Sequence, residues 1–268
     1  MNEPETIELV YDCDRPRLGS SLAGCFRPLA RDAATDVWLT EHARPHGFWR
    51  TKLTEWASTM VSSYDAHGLL GSYPMHLLSE RAWGDLLDGV HPGSLLDVGA
   101  GAGYVTEHAR SHFDEIVCTE TAHQLAKRLV ARGFAVREID LTVHSLARTF
   151  DVVCAFNVLD RTPAPLRLLR SLADHLRPGG TLLISIPLPI SAHVHVRGGT
   201  AAPSERLPSL APDFETAARE LTERLLAPAG LTVRRLSRLP YLSRGDLYRP
   251  LYVLDSALWV CTTGTPPA

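Results

Sequence analysis

Hydrophobic positions in the centre of the chain alternate between short continuous runs and longer runs with helical spacing. The short runs have the length of buried strands, and the segments between them repeat apolar residues every three or four positions. Strands are predicted over 94–98, 115–119, 135–138, 151–156 and 181–186, with helices over 104–111, 122–132 and 163–176 between them. This alternation is typical of an α/β fold in which helices cover both faces of a mostly parallel sheet.

The N-terminal third follows a different pattern. Residues 1–35 carry Pro and Gly at irregular spacing, which predicts a flexible or loosely packed arm. Apolar residues recur at helical spacing over 47–66, and Ser79 can cap a short helix over 80–88. We therefore expect residues 1–90 to form an arm and a helical extension that covers part of the ligand site.

The second and larger domain is expected to cover residues 91–264. Residues 187–213 are rich in Pro, Gly, Ser and His and are expected to form an insertion loop. A helix over 214–227 follows, and two last apolar runs at 231–236 and 252–261 are predicted strands. With the five strands upstream, these make a Rossmann-like sheet of seven strands.

Composition narrows the possible partners. The chain has 268 residues and a net charge of −3, so it lacks the basic excess that holds phosphate backbones, and nucleic acid is not expected as a partner. No signal peptide and no membrane-spanning run are recognisable, which favours a cytoplasmic protein without membrane contact. The five cysteines form no Cys-x-x-Cys pair, so no disulfide framework and no metal site are expected. The sequence leaves the oligomeric state open.

The sharpest local signal is a glycine-rich turn after the first predicted strand. The strand ends at Asp97, and Gly99, Gly101 and Gly103 follow before a helix opens. Glycines permit a tight turn and a close approach of a ligand to the backbone. Tyr104 stands where a dinucleotide fingerprint has its last glycine, and the pattern resembles motif I of class I methyltransferases instead.

That resemblance implies S-adenosylmethionine as the cofactor and S-adenosylhomocysteine as its product. Glu120 lies about 20 positions beyond the glycines, which suits a bidentate contact with ribose hydroxyls. Asp140 follows the third strand, where folds of this kind contact adenine. The predicted cofactor residues are therefore Asp97, Gly99, Gly101, Gly103, Glu120, Asp140 and Asn157.

The fourth predicted strand is followed by Asn157, Asp160 and Arg161. Ligands of open α/β sheets bind beyond the carboxyl ends of the strands, so these residues are expected to face the methyl donor. The Pro-Pro-aromatic sequence that many enzymes methylating nucleic acid bases carry at this point is missing. This weakens a base-methylating function.

Four segments in order resemble the DREV family, that of methyltransferase-like protein nine. They are the segments 157–161, 238–242, 245–248 and 252–255, and upstream matches at 68–71 and 95–106 extend the similarity over residues 47–262. The resemblance implies methylation of protein or peptide histidine at the π nitrogen in His-x-His contexts. The partner would then be a histidine-containing peptide or protein, such as a ribosomally made precursor peptide.

The chemistry of imidazole suggests roles for these residues. Methylation at the π nitrogen requires the ring hydrogen on the τ nitrogen, and Asp160 is the candidate carboxylate that accepts this τ N–H. Asn157 can position the ring or the peptide, and Tyr252 can pack against the substrate or hydrogen-bond it. Tyr241 and Asp246 are expected to line the peptide groove. Arg161 is grouped with these substrate residues, although it suits holding a loop or a carboxylate.

Other interpretations remain open. Asp160 could cap the following helix, and Tyr252 could be a strand residue of the core. A small-molecule N- or O-methyltransferase uses the same scaffold, and a cofactor-binding regulator without catalysis would preserve the cofactor residues. His193 and His195 form a His-x-His segment in the insertion loop, which allows self-methylation or a metal pair besides solvent-exposed histidines.

Overall fold

The computed structural model describes five stretches of the chain, residues 8–43, 74–196, 199–208, 210–245 and 249–264. The predicted helix over 47–66, the segment 68–71 and Asp246 lie outside the described residues. Within those residues, no helix combines the length and the apolar character needed to cross a membrane.

An eight-stranded sheet forms the centre of the described structure. Its strands are β1 (Met75–His76), β2 (Ser94–Val98), β3 (Glu115–Thr119), β4 (Ala135–Arg137), β5 (Phe150–Phe156), β6 (Leu176–Pro187), β9 (Leu231–Arg244) and β10 (Leu251–Thr263). Their order across the sheet is β1-β9-β10-β6-β5-β2-β3-β4. Strands β6, β5, β2, β3 and β4 are parallel neighbours, whereas β1, β9 and β10 pair antiparallel.

All seven predicted strands are present in this sheet. The expected total of seven is wrong, because β1 adds an eighth strand beside β9 through two register pairs. The predicted insertion loop is also partly regular, because β7 (Val194–Val196) and β8 (Gly199–Ala201) form a separate two-stranded ribbon.

The helices pack on both faces of the sheet. They are α1 (Ser20–Cys25), α2 (Ala33–His42), α3 (Glu80–Leu86), α4 (Tyr104–Glu107), α5 (His123–Ala131), α6 (Pro165–Asp174) and α7 (Phe214–Leu221), and α7 continues as a π-helical turn over Thr222–Leu226. Ser79 caps α3 as predicted, since its hydroxyl accepts the backbone N–H of Ala82.

Successive residues of the central strands supply two different cores. Leu96 and Val153 pack in one hydrophobic cluster, while their neighbours Leu95 and Val152 pack in another. Side chains of a strand alternate between the two faces of a sheet, so burial of both faces requires an unbroken apolar run. Every residue of β2 is buried, which explains why the continuous runs identified these strands.

The N-terminal arm is packed and not loose, so that expectation is wrong for residues 8–35. Leu18, Leu22 and Phe26 are at most 3% exposed and belong to the main core cluster. The backbone N–H of Arg27 donates to the carbonyl of Leu236 at 2.9 Å, which ties the arm to β9.

The β9–β10 hairpin is longer than the apolar pattern predicted. Ser256 of β10 pairs with Pro187, the last residue of β6, so residues 251–255 extend past the carboxyl end of the parallel strands. In this extension Tyr241 lies opposite Leu254, and Ser243 lies opposite Tyr252. The hairpin therefore forms a wall at the edge of the sheet where a ligand is expected.

Candidate active site

A cavity of about 750 Å³ lies beyond the carboxyl ends of the parallel strands. One side of it consists of residues from the loops after β2, β3 and β4. The opposite side consists of residues that follow β5, of the extended hairpin and of Val194. The sequence prediction that ligands bind at this edge agrees with the position of the cavity.

Three glycines shape the loop after β2, and each has a positive φ: +69° at Gly99, +59° at Gly101 and +78° at Gly103. A Cβ on Gly99 would lie 2.8 Å from Val158 Cγ2, and a Cβ on Gly103 would lie 2.8 Å from a Leu129 methyl carbon. At Gly101 the nearest atom is Met75 Cε at 3.8 Å. Gly99 and Gly103 therefore allow protein packing, whereas Gly101 leaves space on the cavity side.

The carboxylate of Glu120 ties this loop to the end of β3. Oε2 accepts the N–H of Gly101 at 2.9 Å, and Oε1 accepts the N–H groups of Thr121 and Ala122 at 2.8 and 2.9 Å. Burial raises the pKa of Glu120, and the three backbone donors oppose that rise. A carboxylate has about four acceptor positions. Three are used here, so one position on Oε2 remains for a ribose hydroxyl, fewer than a bidentate contact requires.

Asp140 and Asp97 have different positions relative to the cavity. Asp140 lines it together with Ile139 and Leu141, and its Oδ1 accepts the N–H of Thr142 at 2.8 Å. Asp97 is not among the lining residues. Its side chain is buried, its Oδ2 accepts the hydroxyl of Thr106 at 2.6 Å, and burial raises its pKa. Asp97 thus fastens β2 to α4 beneath the glycine loop, and Gly103 likewise lies outside the lining.

Asn157 lies on the opposite side of the cavity, directly after β5. Its φ is +56°, a left-handed conformation that Asn tolerates better than most residues. Its N–H donates to the Ser185 carbonyl at 2.9 Å, and the Ser185 hydroxyl donates to its Oδ1 at 2.9 Å. Its Nδ2 is buried without a hydrogen-bond partner among the described residues. Asn157 lines the cavity, so a reorientation of its side chain would present this donor to a ligand.

Asp160 is buried next to the cavity and is not among the residues that line it. Its side chain is 2% exposed, and Oδ2 forms an ion pair with Arg161 Nε at 3.1 Å. Oδ1 is buried without a partner among the described residues. Burial raises the pKa of Asp160, and the positive charge of Arg161 opposes that rise. Asp160 does not cap the next helix, because α6 begins at Pro165 with Ala164 in the N-cap position.

Arg161, by contrast, lines the cavity and contacts the insertion loop. Its Nη1 lies 2.8 Å from His193 Nδ1, while its Nε faces Asp160. The guanidinium group therefore separates the cavity from the Asp160 carboxylate.

The hairpin contributes three residues to this side. Tyr241, Ser243 and Leu254 line the cavity, and the Tyr241 hydroxyl donates to the sulfur of Met75. Tyr252 lies opposite Ser243 and shares a face with Leu254, but it is not among the lining residues. Tyr252 is half-buried, and the Arg249 guanidinium carbon lies 5.9 Å from its ring centre. Its side chain is therefore not part of the hydrophobic core.

Several residues of the site were not predicted from the sequence: Met75, Ser185, Val194, Ser243 and Leu254. Ser243 and Leu254 could have been found, because each stands two positions from a predicted tyrosine and therefore shares its strand face. Met75 and Val194 carried no chemical signal. In the described residues, no group of three or more His, Cys, Asp or Glu is arranged to hold a metal ion.

The arrangement fits a nucleoside sulfonium. Gly101 leaves space where a Cβ would project, Glu120 keeps one acceptor position, and Asp140 stands beside apolar side chains that suit an adenine ring. Asn157 lines the same cavity and has an amide nitrogen without a hydrogen-bond partner among the described residues.

Known proteins with similar sequences include two curated O-methyltransferases of ubiquinone biosynthesis. That of Xanthomonas axonopodis pv. citri is 28% identical over 156 residues, which are 54% of this chain and 64% of that protein. That of Xanthomonas campestris pv. campestris is 30% identical over 150 residues, which are 52% and 61%. The chain thus spans less than two thirds of the length of these relatives.

Among solved structures, a DhpI–S-adenosylhomocysteine complex aligns with 17% identity and a TM-score of 0.48, covering 80% of this chain and 98% of that one. The N-methyltransferase NodS from Bradyrhizobium japonicum WM9, in complex with S-adenosylhomocysteine, aligns with 18% identity and a TM-score of 0.46, covering 69% and 86%. A family model described as DREV methyltransferase matches residues 10–263. Because this match covers nearly the whole chain, the protein belongs to the DREV methyltransferase family.

Proposed function

We propose that this methyltransferase uses S-adenosylmethionine, its cofactor, to methylate a histidine imidazole of a peptide or protein at the π nitrogen, in a His-x-His context. One observation carries the proposal. Asn157 and Asp160, three residues apart after β5, each have a buried polar side-chain atom without a partner among the described residues. A donor and an acceptor next to the cavity are what an imidazole and its peptide need.

Bound S-adenosylmethionine supplies an electrophilic methyl group on a positively charged sulfur. Neutral imidazole has one lone pair and one N–H, so the hydrogen must be on the τ nitrogen for the π nitrogen to react. Asp160 Oδ1 is a free acceptor that can hold the τ N–H and so select this tautomer. The same carboxylate stabilises the positive charge that the ring gains on methylation, as the aspartate of a catalytic triad does for its histidine.

The ion pair between Asp160 and Arg161 sets a condition on this mechanism. Because Arg161 lines the cavity and Asp160 is buried next to it, the guanidinium group must shift before a substrate ring can reach Oδ1. Asn157 Nδ2 then donates to the cofactor or to a carbonyl of the peptide. Tyr252, on the cavity face of β10, contacts the peptide outside the cavity, and Tyr241 forms part of the groove.

Catalysis in this proposal rests on alignment and on the position of charge, because a neutral imidazole needs no strong general base to act as a nucleophile. A peptide partner also agrees with the net charge of −3, which gives nucleic acid no electrostatic attraction.

The test is methyl transfer to synthetic His-x-His peptides, scored by mass spectrometry with fragmentation that assigns the modified residue. We expect one added methyl group on a histidine, and π-methylhistidine after hydrolysis. Transfer that persists after both histidines are changed to Ala would show that histidine is not the acceptor.

A small-molecule O-methyltransferase is the second candidate, favoured by the similarity to O-methyltransferases of ubiquinone biosynthesis. In that case a phenolic acceptor occupies the same cavity, and the residues after β5 orient its hydroxyl group. A panel of catechols and phenols, tested beside the peptides, separates the two candidates because each predicts transfer to one acceptor class alone.

A further inference from the structure

The insertion loop lies against the side of the cavity that the residues after β5 form. The N–H of His193 donates to the backbone carbonyl of Asp160 at 2.9 Å, and the next residue, Val194, lines the cavity. Val194 also begins β7, the first strand of the β7–β8 ribbon. The chain thus carries a histidine of its own next to the cavity, where it contacts Arg161 and does not itself belong to the lining.

The ring of His193 is held by the side chain that covers Asp160. Arg161 Nη1 lies 2.8 Å from Nδ1 and is also in contact with Nε2, and the carbonyl of Ser191 lies 2.8 Å from Nδ1. A carbonyl can only accept, so the Ser191 contact requires a hydrogen on Nδ1, which leaves the lone pair on Nε2 for Arg161. In this tautomer the π nitrogen has no lone pair that could attack a methyl group.

We propose that the ring of His193 occupies the subsite that receives the substrate imidazole, and that a histidine-containing peptide binds by displacing it. This inference rests on the proposed function, since it names the place where the acceptor ring binds. The subsite consists of the Arg161 guanidinium group, the main chain at Asp160 and the wall that includes Val194. His193 is a resident of this subsite and not an acceptor.

Displacement also explains how Asp160 becomes accessible. Arg161 holds His193 with Nη1 and Asp160 with Nε, so it bridges the resident ring and the buried carboxylate. When a peptide displaces His193, Arg161 loses its contact with the resident ring and can move away from Asp160, so the substrate ring can reach Oδ1, the unpartnered acceptor. Peptide binding and exposure of the carboxylate are therefore one event.

The experiment compares His193→Ala with the wild-type protein. Alanine keeps the backbone N–H that binds Asp160 and removes only the ring. His91→Ala is the matched control, because His91 is exposed, pairs with Asp114, and stands before β2 at the opposite end of the sheet from the cavity. The probe is a synthetic peptide with the sequence of residues 190–196, whose Kd is measured by calorimetry with S-adenosylhomocysteine present.

We expect the His193→Ala protein to bind this peptide roughly tenfold more tightly than the wild type, because the peptide no longer competes with a tethered ring. His91→Ala should bind it as the wild type does. An equal Kd for His193→Ala and wild type, or binding to neither, would overturn the inference. A mass increase at His193 after incubation with S-adenosylmethionine would also overturn it, because the resident ring would then be an acceptor.

The two proposals fail in different ways. Tighter peptide binding by His193→Ala without any methyl transfer to histidine would contradict the proposed function and leave the subsite intact. Equal transfer and equal binding by both proteins would support histidine methylation and contradict the displacement.

Discussion

The Glu120 carboxylate accepts a hydrogen bond from the backbone N–H of Gly101 at 2.9 Å, which joins the end of one strand to the glycine loop of its neighbour. Both residues line the cavity, so the contact fixes the relative position of two groups beside which a nucleoside is expected to bind. Binding of the cofactor can therefore be tested by substitutions at each partner of this hydrogen bond.

Gly101→Val should abolish or strongly weaken cofactor binding, because the new side chain projects into the space that the loop leaves open. Calorimetry with S-adenosylhomocysteine should show a loss of affinity of at least about tenfold, equivalent to ~1.4 kcal/mol.

Gly133→Val is the control for backbone strain. Gly133 also has a positive φ, +83°, and a Cβ there would meet nothing within 4 Å. Both variants should lose roughly 1–3 kcal/mol of stability to strain, but only Gly101→Val should lose affinity. Unchanged binding by Gly101→Val would mean that the ligand does not approach this loop.

Glu120→Gln should weaken cofactor binding and the fold together. The neutral amide has one acceptor oxygen, so its NH₂ group must face backbone donors that the carboxylate now satisfies. Hydrogen bonds to charged groups are worth about 1.5–3 kcal/mol each, so we expect a loss of affinity of roughly ten- to a hundredfold. Glu138→Gln, at an exposed carboxylate paired with His123, should leave the Kd unchanged. Equal Kd values for the two variants would remove Glu120 from the donor site.

Asp160→Asn should reduce kcat by roughly three to four powers of ten, the scale of losing an orienting carboxylate in a catalytic triad. Cofactor affinity should stay within about twofold, because Asp160 does not line the cavity. Near-normal turnover would remove Asp160 from the mechanism. Asp174→Asn, at an exposed position at the end of α6, should change neither quantity.

The pH dependence of the wild-type enzyme provides a second test of Asp160. Because burial raises its pKa, the carboxylate takes up a proton at a higher pH than an ordinary aspartate does. As the pH is lowered, activity should therefore fall before exposed carboxylates titrate. This acidic limb of the pH–rate profile should be absent from the residual activity of Asp160→Asn. A profile that is the same in both proteins would assign the limb to another group.

His76 should make the fold sensitive to acid. It is buried between the rings of Trp38 and His108, and burial lowers its pKa to about 4 from 6.5. The unfolded chain therefore binds a proton more readily between these two values, so stability falls as the pH drops from 6.5 towards 4. The loss amounts to about 3 kcal/mol at 1.36 kcal/mol for each pH unit.

His76→Phe keeps an aromatic ring at this position and removes the titrating group. Urea unfolding at several pH values should then show a shallower acid loss than in the wild type. Parallel stability curves for the two proteins between pH 4 and 6.5 would show that His76 does not titrate with the fold.

The parallel half of the fold was predictable from sequence because burial on both faces demands unbroken apolar runs, as β2 illustrates. The arm was misjudged for a physical reason. Leu18, Leu22 and Phe26 recur every four residues and form a buried stripe, but Gly19, Gly24 and nearby prolines suggest a loop. Packing against β9 stabilises helical turns that the local sequence alone would not.

The sequence was sufficient to predict which residues lie together at the edge of the sheet. Asn157, Glu120 and Asp140 line the cavity, as expected. The orientation of Asp160 was not predictable, because it depends on the left-handed backbone of Asn157 and on the ion pair with Arg161. Its catalytic role and that of Tyr252 stay predictions.

The long β9–β10 hairpin has an evolutionary consequence. Loops within residues 99–142 supply the side of the cavity where the methyl donor is expected, whereas Tyr241, Ser243 and Leu254 come from a stretch about a hundred residues downstream. Selection can therefore remodel these positions of the hairpin to admit new acceptors while the genetic segment that encodes the loops within residues 99–142 is inherited unaltered.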